Sequence, residues 1–150
     1  MVDDEKMKHD SNSPAPRKVA RMTSLTVDVE AEDGGSWEKI PDMEGAELRV
    51  RSLEYPPYRL AEAAHNRAHS RKYRNEQTAE SVEEDYRKRG ELLARYILLG
   101  WRGFDEEYDA DVARARLAAR EWRPLREWVY VCAMRVGQRA VEFVETTEKN

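Results

Sequence analysis

Apolar residues repeat every two positions before Pro56-Pro57 and every three or four after it. That switch divides the chain into a strand-forming part and a helix-forming part. Upstream, Leu25, Val27 and Val29 alternate with Thr26, Asp28 and Glu30, the pattern of a half-buried strand. Asp33-Gly34-Gly35 reads as a turn, Trp37 and Ile40 lie in a short second segment, and Pro41 to Gly45 turns again. Leu48 and Val50 then face one way while Arg49 and Arg51 face the other. The spacing predicts two or three short strands over 24–53, forming a small hairpin or meander. A sheet of that size is marginal alone and must pack against the helices that follow.

Proline is tolerated in the first turn of a helix, so Pro56-Pro57 ends the strands and opens a helix running to about Arg74. Its apolar face is thin: Leu60, Ala61, Ala64, Ala68 and Tyr73. A second helix is predicted from about Thr78 to Leu99, with Val82, Tyr86, Leu93, Tyr96 and Ile97 as its core stripe. The glycines of Gly100-Trp101-Arg102-Gly103-Phe104 break it in a tight turn. A short third helix follows Tyr108-Asp109 and ends near Arg120. The last helix starts near Pro124 and places Leu125, Trp128, Val129, Cys132, Val136, Ala140, Phe143 and Val144 on one face. The fold class is α+β, mainly helical: a small N-terminal sheet followed by about four helices over 56–148.

At 150 residues the chain has room for one core, placed at 24–150. Residues 1–23 hold almost nothing large to bury and read as a leader without fixed structure. Charged residues are 37% of the chain, yet 26 Lys and Arg nearly balance 30 Asp and Glu. The net charge of −4 excludes a simple nucleic-acid polycation and an acidic tail. A single cysteine excludes an internal disulfide framework. The absence of a long apolar run points to a soluble protein of a reducing cytoplasm.

The sequence offers little catalytic chemistry. The glycine pairs lack the spacing and the lysine of a phosphate loop, and no nucleophile elbow occurs. Cys132 falls on the apolar face of the last helix, where a thiol acts as a small hydrophobe. His65 and His69, one helical turn apart, have the spacing of a metal pair. Asn66 stands where the zinc-protease pattern needs glutamate, and no third ligand lies nearby in the sequence, so a solvated helix face is expected. The chain reads as a non-enzyme without cofactor. Charge segregation says more: eight acids between Asp28 and Glu47 precede five bases, Arg59, Arg67, Arg71, Lys72 and Arg74. The two segments could neutralise each other, or the basic helix could meet a protein or a nucleic acid. Few stacking aromatics accompany it, only Tyr58 and Tyr73, which disfavours nucleic acid.

Several stretches carry a family resemblance. They are Gly45-Ala-Glu-Leu-Arg-Val-Arg-Ser52, Tyr58-Arg59, Arg71-Lys-Tyr-Arg74, the run from Glu91 through Leu-Leu-Gly-Trp-Arg-Gly to Phe104, Tyr108 to Leu117, and Glu121-Trp-Arg-Pro-Leu-Arg-Glu-Trp-Val129. In this order they resemble the tail assembly chaperones of long-tailed bacteriophages. The resemblance covers about two-thirds of the chain, from Gly45 onward, and Leu-x-Gly-Trp-x-Gly is its most specific piece. It implies a factor of the host cytoplasm, absent from the finished virion, that binds the tail tape measure protein and assists the tail tube protein to polymerise. Self-association is compatible with it. The partner-binding surface is expected at Trp101, Arg102 and Phe104 together with the basic face of Arg59, Arg67, Arg71 and Arg74. The competing role for Trp101 is a plug in the core. The alternative function is a small nucleic-acid-binding regulator using the 58–74 helix.

Overall fold

The computed structural model describes residues 15–147. In chain order the elements are β1 (Arg17–Ala20), a 3-10 turn at Met22–Leu25, α1 (Val29–Gly34), β2 (Ser36–Lys39), β3 (Glu47–Val50), α2 (Pro56–Tyr73), α3 (Ala79–Leu92), a wide turn at Leu93–Ile97, β4 (Leu98–Arg102), α4 (Ala110–Ala118), a 3-10 turn at Arg120–Trp122, α5 (Arg123–Arg135) and β5 (Phe143–Thr146). The class is α+β and mainly helical, as the periodicity predicts. These residues form two compact units. One is the chain up to Thr26 with the segment from Arg139, and the other is Val27–Gln138.

In the smaller unit, β1 and β5 pair antiparallel, from Arg17 opposite Thr146 to Ala20 opposite Phe143. The Ser24 hydroxyl accepts from the Glu142 backbone N–H at 2.8 Å. Both ends of this ribbon depart from expectation. Of the leader assigned to 1–23, residues 1–14 lie outside the described residues, while Arg17–Ala20 is a strand with a partner. The last helix stops at Arg135 instead of continuing to 148. Gly137 takes a positive φ of 77°, a conformation that ends an α-helix. Phe143 and Val144 repeat in phase with the α5 face, yet they belong to a strand, and Phe143 is 60% exposed.

The larger unit carries a three-stranded antiparallel sheet in the order β2-β3-β4. Leu48 pairs with Trp101 and Val50 with Leu98, and all four are buried. Beneath them pack Leu93, Ile97, Leu117, Val129, Cys132 and Val136. Two expectations fail here for a shared reason: a short apolar repeat does not choose its own partner. The Leu25-Val27-Val29 alternation is a 3-10 turn and the start of α1. The Asp28 carboxylate caps α1 by accepting from Ala31 N–H at 3.1 Å, with Glu30 and Glu32 in the first turn. Leu25 and Val29 are exposed, so their alternation has no core to face. The second helix ends at Leu92 rather than Leu99, and Leu98–Arg102 becomes the third strand of the sheet. Gly100, expected to break a helix, sits in that strand with the Trp37 ring lying over it.

Three helices meet at one junction. Gly90 of α3 lets the Leu117 carbonyl at the end of α4 approach so closely that a Cβ would stand 2.0 Å from it. Arg126 of α5 is buried there and pairs with no carboxylate among the described residues. It donates to the carbonyls of Tyr86 at 2.6 Å and Leu117 at 3.3 Å, with its guanidinium over the Tyr86 ring. The side chain thus ties the backbones of α3 and α4 to α5. Of the predicted α3 core stripe, Leu93 and Ile97 are fully buried and Val82 is exposed.

Candidate functional site

Trp101 is buried on β4, an edge strand of the sheet, opposite Leu48 of the central strand. Its indole N–H donates to the Glu106 carbonyl at 3.0 Å, and its ring meets the Tyr108 ring edge-on at 4.8 Å. Only one edge reaches outward, and there it floors an open groove of about 460 Å³. Ile40 and Met43 from the turn after β2, Phe104 from the loop after β4, and Trp122, Leu125 and Trp128 from the start of α5 and the turn before it form the walls. Met43 and Phe104 are more than two-fifths exposed. Trp122 and Trp128 are half-buried. One end is closed by charge: both Glu106 oxygens accept from Arg116, at 2.7 and 3.0 Å, and the guanidinium lies over the Trp122 ring. Those bonds hold the Glu106 carboxyl below the ordinary range for a glutamate. Asp105 and Glu121 complete an acidic rim.

The residues expected to make one binding surface fall in different places. Phe104 lies in the groove and Trp101 beneath it. Arg102, the next residue along the strand, projects from the opposite side of the sheet, where it pairs with Glu47 at 2.8 Å and covers the Trp37 ring. No residue of α2 lines the groove. Arg59 is paired with Glu54 and Glu62. Arg67 and Arg71 lie exposed on α2, and Arg74 caps it in the left-handed conformation. These three guanidiniums make no ion pair with any described residue. The acidic 28–47 segment does not neutralise them. Its Glu38 pairs with Arg135 and its Glu47 with Arg102.

The face that α2 turns toward α3 is built from rings rather than from the predicted alanines. Tyr58 is buried, and His65, His69 and Tyr73 form a ladder with centroids 5.5 and 4.8 Å apart. His65 is covered rather than solvated, and its Nε2 lies 2.7 Å from Asp85 Oδ1. One turn along, Lys72 donates to Glu84 at 2.8 Å. That ammonium, with the Tyr73 hydroxyl beside it, holds the Glu84 carboxyl down to about 2. The folded pKa lies below the ordinary value, so the contact stabilises the fold fully above about pH 4.5 and is lost as pH falls toward 2. Thermal melts across that window are expected to show an acid limb that Glu84→Gln flattens.

Sequence reasoning finds Trp101 and Phe104 but misses Met43, Trp122 and Trp128 as groove residues. Their convergence depends on a sheet edge and a helix start that lie far apart in the chain. Cys132 is fully buried, and that burial pushes its thiol pKa up, consistent with a packing role. Among the described residues no helix is long and apolar enough to cross a membrane. Compared with family models, curated proteins and solved structures, the chain has no match.

Proposed function

We propose that this chain is a non-catalytic tail assembly chaperone. Its groove of Met43, Phe104, Trp122, Leu125 and Trp128 would receive the apolar face of an amphipathic helix from the tape measure protein. The observation that carries the reading is the groove: two tryptophans, a phenylalanine and a methionine around a solvent-open depression. Tryptophan is enriched among the few residues that carry most of the affinity of an interface, and amphipathic helices seat their apolar face in hydrophobic grooves. Methionine also adapts to varied partners. With Glu106 taken up by Arg116, the rim carboxylates Asp105 and Glu121 favour a helix whose apolar stripe is flanked by lysine or arginine. Repeated modest contacts of this kind suit a long partner that must be kept soluble while tube subunits assemble around it.

The DNA flanking the reading frame tests the partner. A very long helix-coding frame immediately downstream supports the reading, and neighbours unrelated to virion assembly overturn it. The groove is tested by co-expression with the product of that frame. Phe104→Ser combined with Met43→Ser is expected to weaken capture by at least about tenfold while the melt is retained. Undiminished capture removes the groove from the reading.

One observation favours a second reading, a nucleic-acid-binding regulator. Arg67, Arg71 and Arg74 are exposed and make no ion pair with a described residue. Against it, the two aromatics nearest to them in sequence are occupied, Tyr58 by burial and Tyr73 by a tilted ring contact with His69. A shift of random duplex DNA whose affinity falls steeply with salt would replace the first reading with this one.

A further inference from the structure

The sequence leaves His65 and His69 without a third metal ligand, and the fold supplies one. Asp85 of α3 faces the two histidines of α2, and one ligand atom from each of the three residues falls within a group no wider than 4.8 Å. We infer that His65, His69 and Asp85 form a binding site for a borderline divalent transition metal of the zinc type, clamping α2 to α3. Nothing in this inference depends on the proposed chaperone role.

The geometry needs little adjustment. Ligands at zinc's usual bond lengths of about 2.0–2.1 Å in a tetrahedron stand about 3.3 Å apart. His65 Nε2 and Asp85 Oδ1 are at 2.7 Å and must open by about 0.6 Å, while no separation within the group exceeds 4.8 Å, so none has to close by more than about 1.5 Å. Rotation of side chains at a partly open seam covers both changes. His69 makes ring contacts with His65 and Tyr73 but no hydrogen bond to a described residue, so its ring is held in place with its nitrogens uncommitted. A cleft of about 480 Å³ runs along this side of the seam, lined by His69, Tyr73, Asp85 and Arg89, and provides a way in from solvent.

Arg89 is the competing cation. Its Nε lies 3.0 Å from both Asp85 oxygens, and the same guanidinium reaches Glu62 at 3.5 Å and the Asn66 side-chain carbonyl. Glu62 also pairs with Arg59, so the two carboxylates are matched by two guanidiniums, and a dication would be held by the Asp85 oxygen and the two imidazoles rather than by excess negative charge. A metal bound through one Asp85 oxygen leaves the other to Arg89, which then fixes the carboxylate as outer partners of metal ligands commonly do. Two imidazoles with a single carboxylate select against magnesium and calcium, which prefer oxygen ligands. The fourth position of a tetrahedral ion would be left to water.

The full chain is titrated with Zn2+ by calorimetry and melted with and without Zn2+ or Mg2+. Co2+ serves as the spectroscopic probe. The chain has three histidines, so His9→Ala is the control and His69→Ala the primary variant; its loss breaks no hydrogen bond to a described residue. The expected result is one Zn2+ per chain, a raised melting temperature with Zn2+ and none with Mg2+, and tetrahedral Co2+ absorption. His69→Ala should lower the Zn2+ affinity at least about tenfold, and His9→Ala should leave it unchanged. Asp85→Asn, which keeps the side-chain size, should lose the Co2+ spectrum. Zn2+ binding equal in the wild type and His69→Ala, binding lost with His9→Ala, or no binding at all overturns the site and leaves the His65–Asp85–Arg89 cluster as an ion-paired clamp only.

Discussion

Trp101→Ala should destabilise the larger unit by about 3–5 kcal/mol, the range for removing a large aromatic side chain from a packed core. The indole is only 7% exposed and sits opposite fully buried Leu48 in the sheet. Truncation leaves a cavity against Tyr108 and also removes the hydrogen bond to the Glu106 carbonyl. Chemical denaturation read by tryptophan-independent circular dichroism measures the loss. Phe104→Ser is the matched comparison: its ring is 41% exposed and the change should cost less than about 1 kcal/mol. The pair separates two roles of aromatics three residues apart, since Trp101 on β4 builds the floor of the groove and Phe104 in the loop after it is the wall a partner can touch. A Trp101→Ala melt indistinguishable from wild type would contradict the burial and return Trp101 to the surface.

Gly90→Ala should cost about 3 kcal/mol, with the opposite sign to the usual benefit of alanine inside a helix. The helix would ordinarily gain about 1 kcal/mol from this change. Here the new methyl would lie 2.0 Å from the Leu117 carbonyl oxygen and 2.8 Å from the Ala118 nitrogen. Both are backbone atoms at the end of α4, so relief requires the helices to move apart. Separation would also pull the Leu117 carbonyl from Arg126, leaving a buried guanidinium with fewer acceptors. Thermal melting is expected to drop by roughly 10 °C. Gly34→Ala, where a Cβ meets nothing within 4 Å, serves as the control.

Both predictions rest on contacts between segments far apart in the chain, and the same distinction governs how much was legible beforehand. The start of α2 at Pro56, the course of α4 and the opening of α5 follow from local rules: proline in a first turn, Asp109 capping the Val112 N–H, and an apolar stripe with Val129 and Cys132 at its centre. The turn residues between β2 and β3 and the inward pair Leu48 and Val50 are equally local. These features carry the fold class. The groove was half legible, because Trp101 and Phe104 stand in a conspicuous run, while the facing wall begins beyond a further helix.

Residue order, through these short-range preferences, settles where most helices form and which of their faces are apolar. It does not settle what an apolar pair will pair with. Leu98 and Trp101 extend a helical repeat and nonetheless complete a sheet by pairing with Val50 and Leu48, because unpaired β3 backbone and a buried place beside Leu48 are available only once the chain has folded back. Leu25 and Val29 alternate as a strand does but have no such edge to join. His65 and His69 are neighbours by helical spacing alone, whereas Asp85 reaches them through the packing of α3 on α2. Hydrophobic burial and backbone hydrogen bonding are satisfied over the whole molecule, so these long-range pairings were decided by the tertiary structure.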